Sequence, residues 1–128
     1  MGVRPGARPG ARLEARLKVQ LGDQMNVIAD LCVVPLGVGV SVSKYVAACE
    51  RVLKQAGLET RLHACGTNIE GEWDEVFAAI KRCHEVVHEM GAPRITTTIS
   101  LGTRTDRSQS IDDKVRSVEE KLRVGDTE

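Results

Sequence analysis

Apolar and polar side chains alternate along residues 95–101, and the two faces of this alternation differ chemically. Ile95, Ile99 and Leu101 form the apolar face, and the other face carries the hydroxyl groups of Thr96, Thr98 and Ser100. Successive side chains of a β-strand point to opposite faces of its sheet. The pattern therefore predicts a strand that packs on helices through one face. Its other face presents hydroxyl groups to water, to another subunit or to a ligand.

Three further strands are predicted from alternation and composition. Residues 26–34 are rich in β-formers and stop at Pro35, which cannot donate a hydrogen bond within a sheet. Residues 60–64 and 67–70 are shorter candidates, and the Cys-Gly pair between them has the composition of a hairpin turn.

Three segments show the three- and four-residue spacing of apolar side chains that is typical of amphipathic helices. The first covers residues 42–56 and stops at a glycine, and the second covers residues 73–90 and stops before Gly91-Ala-Pro93. The third begins at Ser110, which forms a capping-box pattern with Asp113 and introduces an apolar stripe at Ile111, Val115, Val118 and Leu122.

The predicted order is βαββαβ followed by a C-terminal helix. This order indicates an α+β fold, the ferredoxin-like sandwich, with two helices on one face of an antiparallel sheet. A chain of 128 residues fits one domain with one core. We assign residues 25–124 to that domain, and we expect a disordered basic extension at 1–24 and a short tail at 125–128.

The N-terminal extension repeats arginine at every fourth position, at Arg4, Arg8, Arg12 and Arg16. Arg-rich, acid-poor N-termini are typical of organelle-targeting peptides, but this segment lacks their serines and their apolar helical face. We therefore expect a flexible extension on a cytoplasmic protein. The alternative is a mitochondrial location, if the segment is a targeting peptide.

Charge and composition argue against several classes of partner. Eighteen basic and eighteen acidic residues cancel, and the chain has a single Trp, Tyr and Phe, so we expect no nucleic-acid partner. No apolar run is long enough to span a bilayer, so we expect no membrane partner either. The four cysteines are widely spaced within apolar patterns, which predicts reduced core thiols in a cytosolic protein.

If the apolar side chains of the strands face the helices, the opposite face of the sheet is polar. Asp30 stands in the middle of the first strand, where a carboxylate needs a partner if it is covered. The other predicted members of this face are Cys32, His63, Asn68, Glu70, Thr96, Thr98 and Ser100. Two interpretations remain open: the polar groups line a wet subunit interface and satisfy one another, or they bind a ligand. Both hold if a ligand lies at the interface.

Weaker motifs each have a structural alternative. The loop at residues 37–43 resembles a dinucleotide or anion loop, but a turn followed by an N-cap serine is favoured. His84 and His88 are one helical turn apart and make only half of a metal site, so we expect partly buried histidines and no metal. Arg104 and Arg107 form either a phosphate or carboxylate clamp beside a helix N-terminus or ordinary salt bridges.

Five short motifs occur in order along the chain: ADLCVVPLG at 29–37, SKYVA at 43–47, GTNIEGEW at 66–73, Arg94 with the threonines at 97–98, and GTRTD at 102–106. Together they resemble the small thiamine-binding, YkoF-like protein family, and especially its fungal Ecm-fifteen-like branch. The resemblance covers about residues 26–123.

The resemblance implies a ferredoxin-like sandwich that pairs through its sheets, as a homodimer or a homotetramer, with no established catalytic activity and no cofactor. Members of this family bind thiamine or its hydroxymethylpyrimidine part at the subunit interface, and are thought to sequester or deliver the vitamin. Carried onto this chain, the pocket would draw on the loop at Pro35, on Thr67 and Glu70, and on Thr98.

The chemistry of thiamine suits several of the polar residues. Its aminopyrimidine needs carboxylate and hydroxyl partners, and its cationic thiazolium needs negative charge or an aromatic face. The aromatic residues Tyr45, Trp73 and Phe77 lie on helix stripes that place them in the core. The predicted ligand-binding residues are Asp30, Pro35, Ser43, Thr67, Asn68, Glu70 and Thr98.

We therefore predict a non-catalytic binding protein for thiamine or a related hydroxymethylpyrimidine. The alternatives are an assembly module whose polar sheet face is only an interface, and an enzyme that uses His63 with Asp30 or Glu70 on a phosphorylated substrate held near Arg104. The enzyme is the weakest of the three, because no Ser-His-Asp, Cys-His or paired-carboxylate pattern stands out.

Overall fold

The computed structural model describes residues 25–125, so the predicted extension at 1–24 and the last three residues of the predicted tail lie outside the described residues. The elements follow one another in the predicted order. They are β1 (Asn26–Leu36), α1 (Ser43–Gln55), β2 (Glu59–His63), β3 (Gly66–Glu72), α2 (Trp73–Glu89), β4 (Arg94–Thr103) and α3 (Ile111–Val124).

The four strands form one antiparallel sheet in the order β2-β3-β1-β4, which confirms the ferredoxin-like α+β fold. In its register, Asp30 of the central strand β1 stands opposite Asn68 of β3 and Ser100 of β4. Residues that are directly opposite in a ladder share a face of the sheet. These three side chains therefore lie on one face, which we call the outer face.

The core lies between the other face of the sheet and the helices α1 and α2. Val27, Ala29 and Leu31 of β1 are buried there, as the alternation of β1 predicts. They pack with a cluster that includes Tyr45, Cys49, Leu53, Ile69, Val76, Ile80, Cys83 and Val87. Each fully buried aliphatic side chain in such a core contributes roughly 1.5–3 kcal/mol to stability.

β1 continues two residues beyond its predicted end at Val34, so the prediction that Pro35 terminates the strand is wrong. β1 pairs with β3 only as far as Leu31, whereas it pairs with β4 as far as Leu36. Pro35 therefore lies in a stretch with one free edge, where a residue that lacks an N–H is tolerated.

The helix α3 begins on the outer face of the sheet. The N–H of Ile111 donates to Oε1 of Glu70 at 3.0 Å, and Arg61 donates to Oδ1 of Asp112 at 2.8 Å. Glu70 and Arg61 both belong to the outer face by register. The predicted capping box is present, because Ser110 and Asp113 each accept from the other's backbone N–H.

Beyond its first turn, α3 keeps an exposed apolar stripe. Ile111 is buried, but Val115, Val118 and Leu122 are 51%, 59% and 74% exposed. This stripe therefore offers apolar surface that the described part of the chain does not cover.

Two predictions about core membership are wrong in part. Cys49 and Cys83 are buried free thiols as predicted, but Cys65 is exposed because it lies in the turn between β2 and β3. Trp73 and Phe77 pack on each other with ring centroids 5.0 Å apart, yet they remain 39% and 36% exposed at the margin of α2.

Candidate functional site

A cluster of polar side chains on the outer face centres on Asp30. His63 of β2 lies with Nε2 at 2.6 Å from Oδ1 of Asp30, and Asn68 of β3 donates to the same oxygen at 3.3 Å. The side chains of His63 and Asp30 are 39% and 44% exposed. The structure thus brings together three residues that the sequence places on separate strands, and the carboxylate remains accessible.

The tautomer of His63 follows from its second contact. The backbone N–H of Cys65 donates to Nδ1 of His63 at 3.3 Å, so Nδ1 acts as the acceptor. The proton of the neutral ring is then on Nε2, which donates to Asp30. The turn between β2 and β3 therefore orients the imidazole toward the central strand rather than toward the helices.

Gly66 makes the close approach of this hairpin to β1 feasible. A Cβ at this position would lie 2.8 Å from the carbonyl oxygen of Leu31 and 3.4 Å from both Oδ1 of Asp30 and Cε1 of His63. Side chains are excluded from this position because the Leu31 contact is with backbone.

Glu70 does not converge on this cluster, although sequence reasoning placed it among the ligand-binding residues. Its carboxylate accepts the backbone N–H of Ile111 at the start of α3. Negative charge at a helix N-terminus is stabilising, so this contact has a structural role. The structure therefore brings His63 together with Asp30 but not with Glu70.

A groove of about 820 Å³ lies on the outer face beside Asp30. Asp30, Asn68 and Ser100 of the sheet line it, and the rest of its lining includes residues 104–109, which follow β4, and Lys114 of α3. A groove of this volume is within the range of small-molecule sites, roughly 300–1,000 Å³.

The two arginines that were predicted to bind an anion behave differently. Arg104 donates to both carboxylate oxygens of Asp106 at 2.6 and 2.7 Å and to Gln109 at 2.8 Å. This guanidinium lowers the pKa of Asp106 to about 2. Both arginines line the groove, but the guanidinium of Arg104 is held within the loop by its salt bridge to Asp106.

The other predicted ligand-binding residues lie on both faces of the sheet and at the start of α1. Thr98 lies exposed on the outer face opposite Cys32. Pro35 and Thr67 are buried on the helix side, and Ser43 is the exposed first residue of α1. The N-cap of α1 is Val42, which makes no side-chain cap, so the predicted N-cap serine is wrong.

A second cavity, which we call the edge pocket, has a volume of about 200 Å³. Its walls are residues 31–34 of β1, residues 62–67 around the hairpin turn, and five side chains of α1 and its N-cap: Val42, Val46, Cys49, Glu50 and Leu53. Most of these side chains are apolar. His63 belongs both to this wall and to the pair with Asp30, so the edge pocket and the Asp30 cluster adjoin.

Glu50 is a polar residue of the edge pocket that sequence reasoning missed. Its Oε2 accepts a hydrogen bond from the buried hydroxyl of Thr67 at 2.5 Å. The sequence did contain a signal for this position. Glu50 is the only acid of α1, and its spacing of four residues from Val46 and three from Leu53 aligns it with the apolar stripe of the helix. An acid aligned with an apolar helix stripe faces a partly covered environment.

The two histidines of α2 contact separate groups. Nε2 of His84 lies 2.6 Å from Oγ1 of Thr97, and Nδ1 of His88 lies 2.8 Å from the carbonyl oxygen of Ala92. Across residues 25–125, no three His, Cys, Asp or Glu side chains are grouped as metal ligands. In the same range, no helix combines the length and apolar character that a membrane crossing requires.

Comparison with known sequences assigns most of the domain to one protein family. Residues 29–119 match the family described as thiamine-binding protein. A UPF0045 protein of Synechocystis sp. is 70% identical over 95 residues, which cover 74% of this chain and 78% of that protein. A fungal UPF0045 protein of Eremothecium gossypii is 46% identical over 100 residues, covering 77% of this chain and 95% of that protein.

Solved structures share the fold. A hypothetical protein of Methanocaldococcus jannaschii superposes with a TM-score of 0.71 at 33% identity, covering 75% of this chain and 98% of that one. A putative thiamine biosynthesis/salvage protein of Thermotoga maritima has a TM-score of 0.63 at 17% identity, covering 73% and 98%, and shares the fold. The chain belongs to the thiamine-binding protein family.

Proposed function

We propose that this protein is a non-catalytic binding protein for thiamine or a related hydroxymethylpyrimidine, and that it holds its ligand at a subunit interface of a homotetramer in the cytoplasm. The observation that carries this proposal is the half-exposed carboxylate of Asp30 at the groove on the outer face. Membership of the thiamine-binding family supplies the ligand class.

The environment of Asp30 suits a cationic heterocycle. Within residues 25–125, both of its hydrogen bonds go to Oδ1, so Oδ2 is available to a ligand. His63 and Asn68 fix the carboxylate, and Ser100 places a hydroxyl group on the same face. A positioned carboxylate attracts the permanent charge of a thiazolium or accepts from an amine. Arg107 and Lys114 also line the groove and would favour a phosphorylated form of the vitamin.

The surface of the single chain supports assembly through the outer face. Val34 and Leu36 at the end of β1 are 38% and 37% exposed. The apolar stripe of α3, beyond its first turn, has still larger exposed fractions. A second copy of this chain would cover both surfaces and enclose the groove. Isologous pairing of this kind is the commonest route to homodimers and to tetramers built from them.

The contacts of the ionisable residues favour binding over catalysis. Both ring nitrogens of His63 are engaged, Nε2 with Asp30 and Nδ1 with the N–H of Cys65, and Glu70 is held by α3. A general base needs a substrate proton within reach, and a nucleophile needs a neighbouring base. The four free cysteines suit the reducing cytoplasm that the proposal specifies.

A second candidate function is an assembly module with no small-molecule ligand, and the exposed stripe of α3 favours it. Native mass spectrometry of the full chain with added thiamine distinguishes the two. The thiamine-binding proposal expects tetramers that carry whole numbers of thiamine molecules. Tetramers that carry none would favour the assembly module, and monomers that carry none would contradict both.

A further inference from the structure

Two of the four free cysteines lie against each other in the core. Cys49 of α1 is 5% exposed, and Cys83 of α2 is fully buried. The sulfur of Cys83 lies 3.8 Å from the carbonyl oxygen of Cys49, and a hydrogen bond also links the two thiol groups. The pair therefore stands at the contact between α1 and α2, with each thiol as the other's neighbour.

The two thiols differ in their access to small molecules. Of the pair, only Cys49 lines the edge pocket, and the exposed Cys65 lines it as well, so the pocket opens to the surface. Its volume of about 200 Å³ is several times the space of about 30 Å³ that a water molecule takes up in the liquid. Hydrogen peroxide is little larger than water. It can reach Cys49 through the pocket, whereas it meets Cys83 only beyond Cys49.

The contact between the thiols favours ionisation of the accessible one. The hydrogen bond from Cys83 lowers the pKa of Cys49, and this effect outweighs burial and the nearby charge of Glu50, which act in the opposite direction. The same hydrogen bond, together with burial, raises the pKa of Cys83. The thiolate is the form that attacks an oxidant. Cys49 is therefore the nucleophile of the pair, and Cys83 is the donor that stabilises its thiolate.

We propose that Cys49 and Cys83 form an oxidation site for hydrogen peroxide, in which the two thiols become a disulfide that joins α1 to α2. In the first step the Cys49 thiolate attacks one peroxide oxygen, the O–O bond breaks, and the departing hydroxide takes up a proton and leaves as water. In the second step the Cys83 sulfur attacks the sulfenic acid of Cys49, loses its proton and displaces the hydroxyl group as a second water.

The two steps balance without any other reactant. Two thiols and one peroxide give one disulfide and two waters, so both sulfurs are oxidised and both peroxide oxygens are reduced. Disulfides that form in a reducing compartment are usually transient and redox-sensing. Cellular thiols would reduce this bridge again once the peroxide is consumed. The site does not depend on the proposed function, because its chemistry requires no other ligand.

The test isolates the buried pair in the double variant Cys32→Ser/Cys65→Ser, which retains Cys49 and Cys83 as its only thiols. The folded variant is treated with hydrogen peroxide, its remaining thiols are blocked after denaturation, and its intact mass is measured without reductant. We expect a monomer that has lost two hydrogens, carries no blocking group and regains its starting mass with dithiothreitol. Two blocked thiols, after a treatment that oxidises the exposed Cys65 of the wild type, would overturn the proposal.

Further substitutions in this background separate the roles of the two thiols. Cys83→Ala removes the second thiol, so oxidation should stop at the sulfenic acid of Cys49, which dimedone traps as an adduct. The matched variant Cys49→Ala keeps Cys83 and should give no adduct while it is folded, because Cys83 does not line the pocket. Circular dichroism checks that both variants fold. An equal yield of adduct at Cys83 would overturn the assignment of Cys49 as the nucleophile.

Entry through the pocket has its own check. Oxidised glutathione is far larger than the benzene molecule that a cavity of about 150 Å³ accommodates, so a pocket of about 200 Å³ excludes it. It should form the bridge in the double variant unfolded in urea and fail to do so in the folded protein. Equal rates of bridge formation by hydrogen peroxide and by oxidised glutathione in the folded protein would show that the helices separate, and would overturn the pocket route.

Discussion

His63 donates from Nε2 to Oδ1 of Asp30 across 2.6 Å, and this contact joins the β2–β3 turn to the central strand. Because the Cys65 N–H fixes the other ring nitrogen, the imidazole is held from both sides. Asp30 lines the groove and His63 lines the edge pocket, so the pair lies between the two cavities.

Gly66→Ala should destabilise the fold and disturb the pair of His63 and Asp30. The added Cβ would lie 2.8 Å from the carbonyl oxygen of Leu31, and backbone cannot move aside without shifting the hairpin. We expect a loss of about 1–3 kcal/mol in the free energy of unfolding, measured by urea denaturation.

The matched control for that substitution is Gly102→Ala on β4, where a Cβ would meet no atom within 4 Å. Its free energy of unfolding should change far less. Equal losses in the two variants would show that replacing a strand glycine is itself destabilising, and that the contact with Leu31 does not determine the loss of stability at position 66.

Glu70→Ala should loosen α3 from the sheet. The carboxylate accepts the N–H of Ile111, so its removal leaves the first turn of the helix without that acceptor. We expect a loss of about 1 kcal/mol in stability, together with faster hydrogen exchange at the amides of residues 111–114. Glu70→Gln keeps an acceptor oxygen and should lose less. Unchanged exchange in Glu70→Ala would contradict the role of this contact.

The salt bridge between Arg104 and Asp106 should be visible in a carboxyl titration. The pKa of Asp106 in the folded protein is about 2, below its ordinary value of 3.8. The unfolded chain therefore binds more protons between these values, so the contribution of this group to stability is complete above about pH 4 and is lost as the pH falls toward 2. Arg104→Gln should return the pKa of Asp106 toward 3.8 in a carbon-13 NMR titration. A pKa that stayed near 2 in this variant would assign the shift to the loop backbone.

The four thiols should react at different rates with a thiol-specific reagent. Cys65 is exposed in the turn and should react first, followed by the half-buried Cys32. Cys49 and Cys83 should react only on unfolding, because both thiols are buried. The contact with Cys49 and burial also raise the pKa of the Cys83 thiol. Cys65→Ser should remove the fastest phase.

Much of the fold could be predicted from local patterns. The alternation of residues 95–101, the apolar stripes of three helices and the capping box at Ser110 fix the type and order of the elements, because these signals depend on neighbours along the chain. Asp30, Asn68 and Thr98 were assigned to the outer face for the same reason, since strand alternation determines the face.

What could not be predicted depends on contacts between distant segments. Thr67 pairs with Glu50 of α1 on the helix side, a contact that neither segment reveals alone. Glu70 accepts from the start of α3, forty-one residues away along the chain. Pro35 remains in a strand because β3 ends before it, which only the register reveals.

The measurement that tests the account most directly is a calorimetric titration of the wild-type protein with thiamine. The account predicts saturable heats with about one site per chain, and competition by hydroxymethylpyrimidine for the same site. Flat titrations with thiamine, its phosphates and hydroxymethylpyrimidine alike would contradict it.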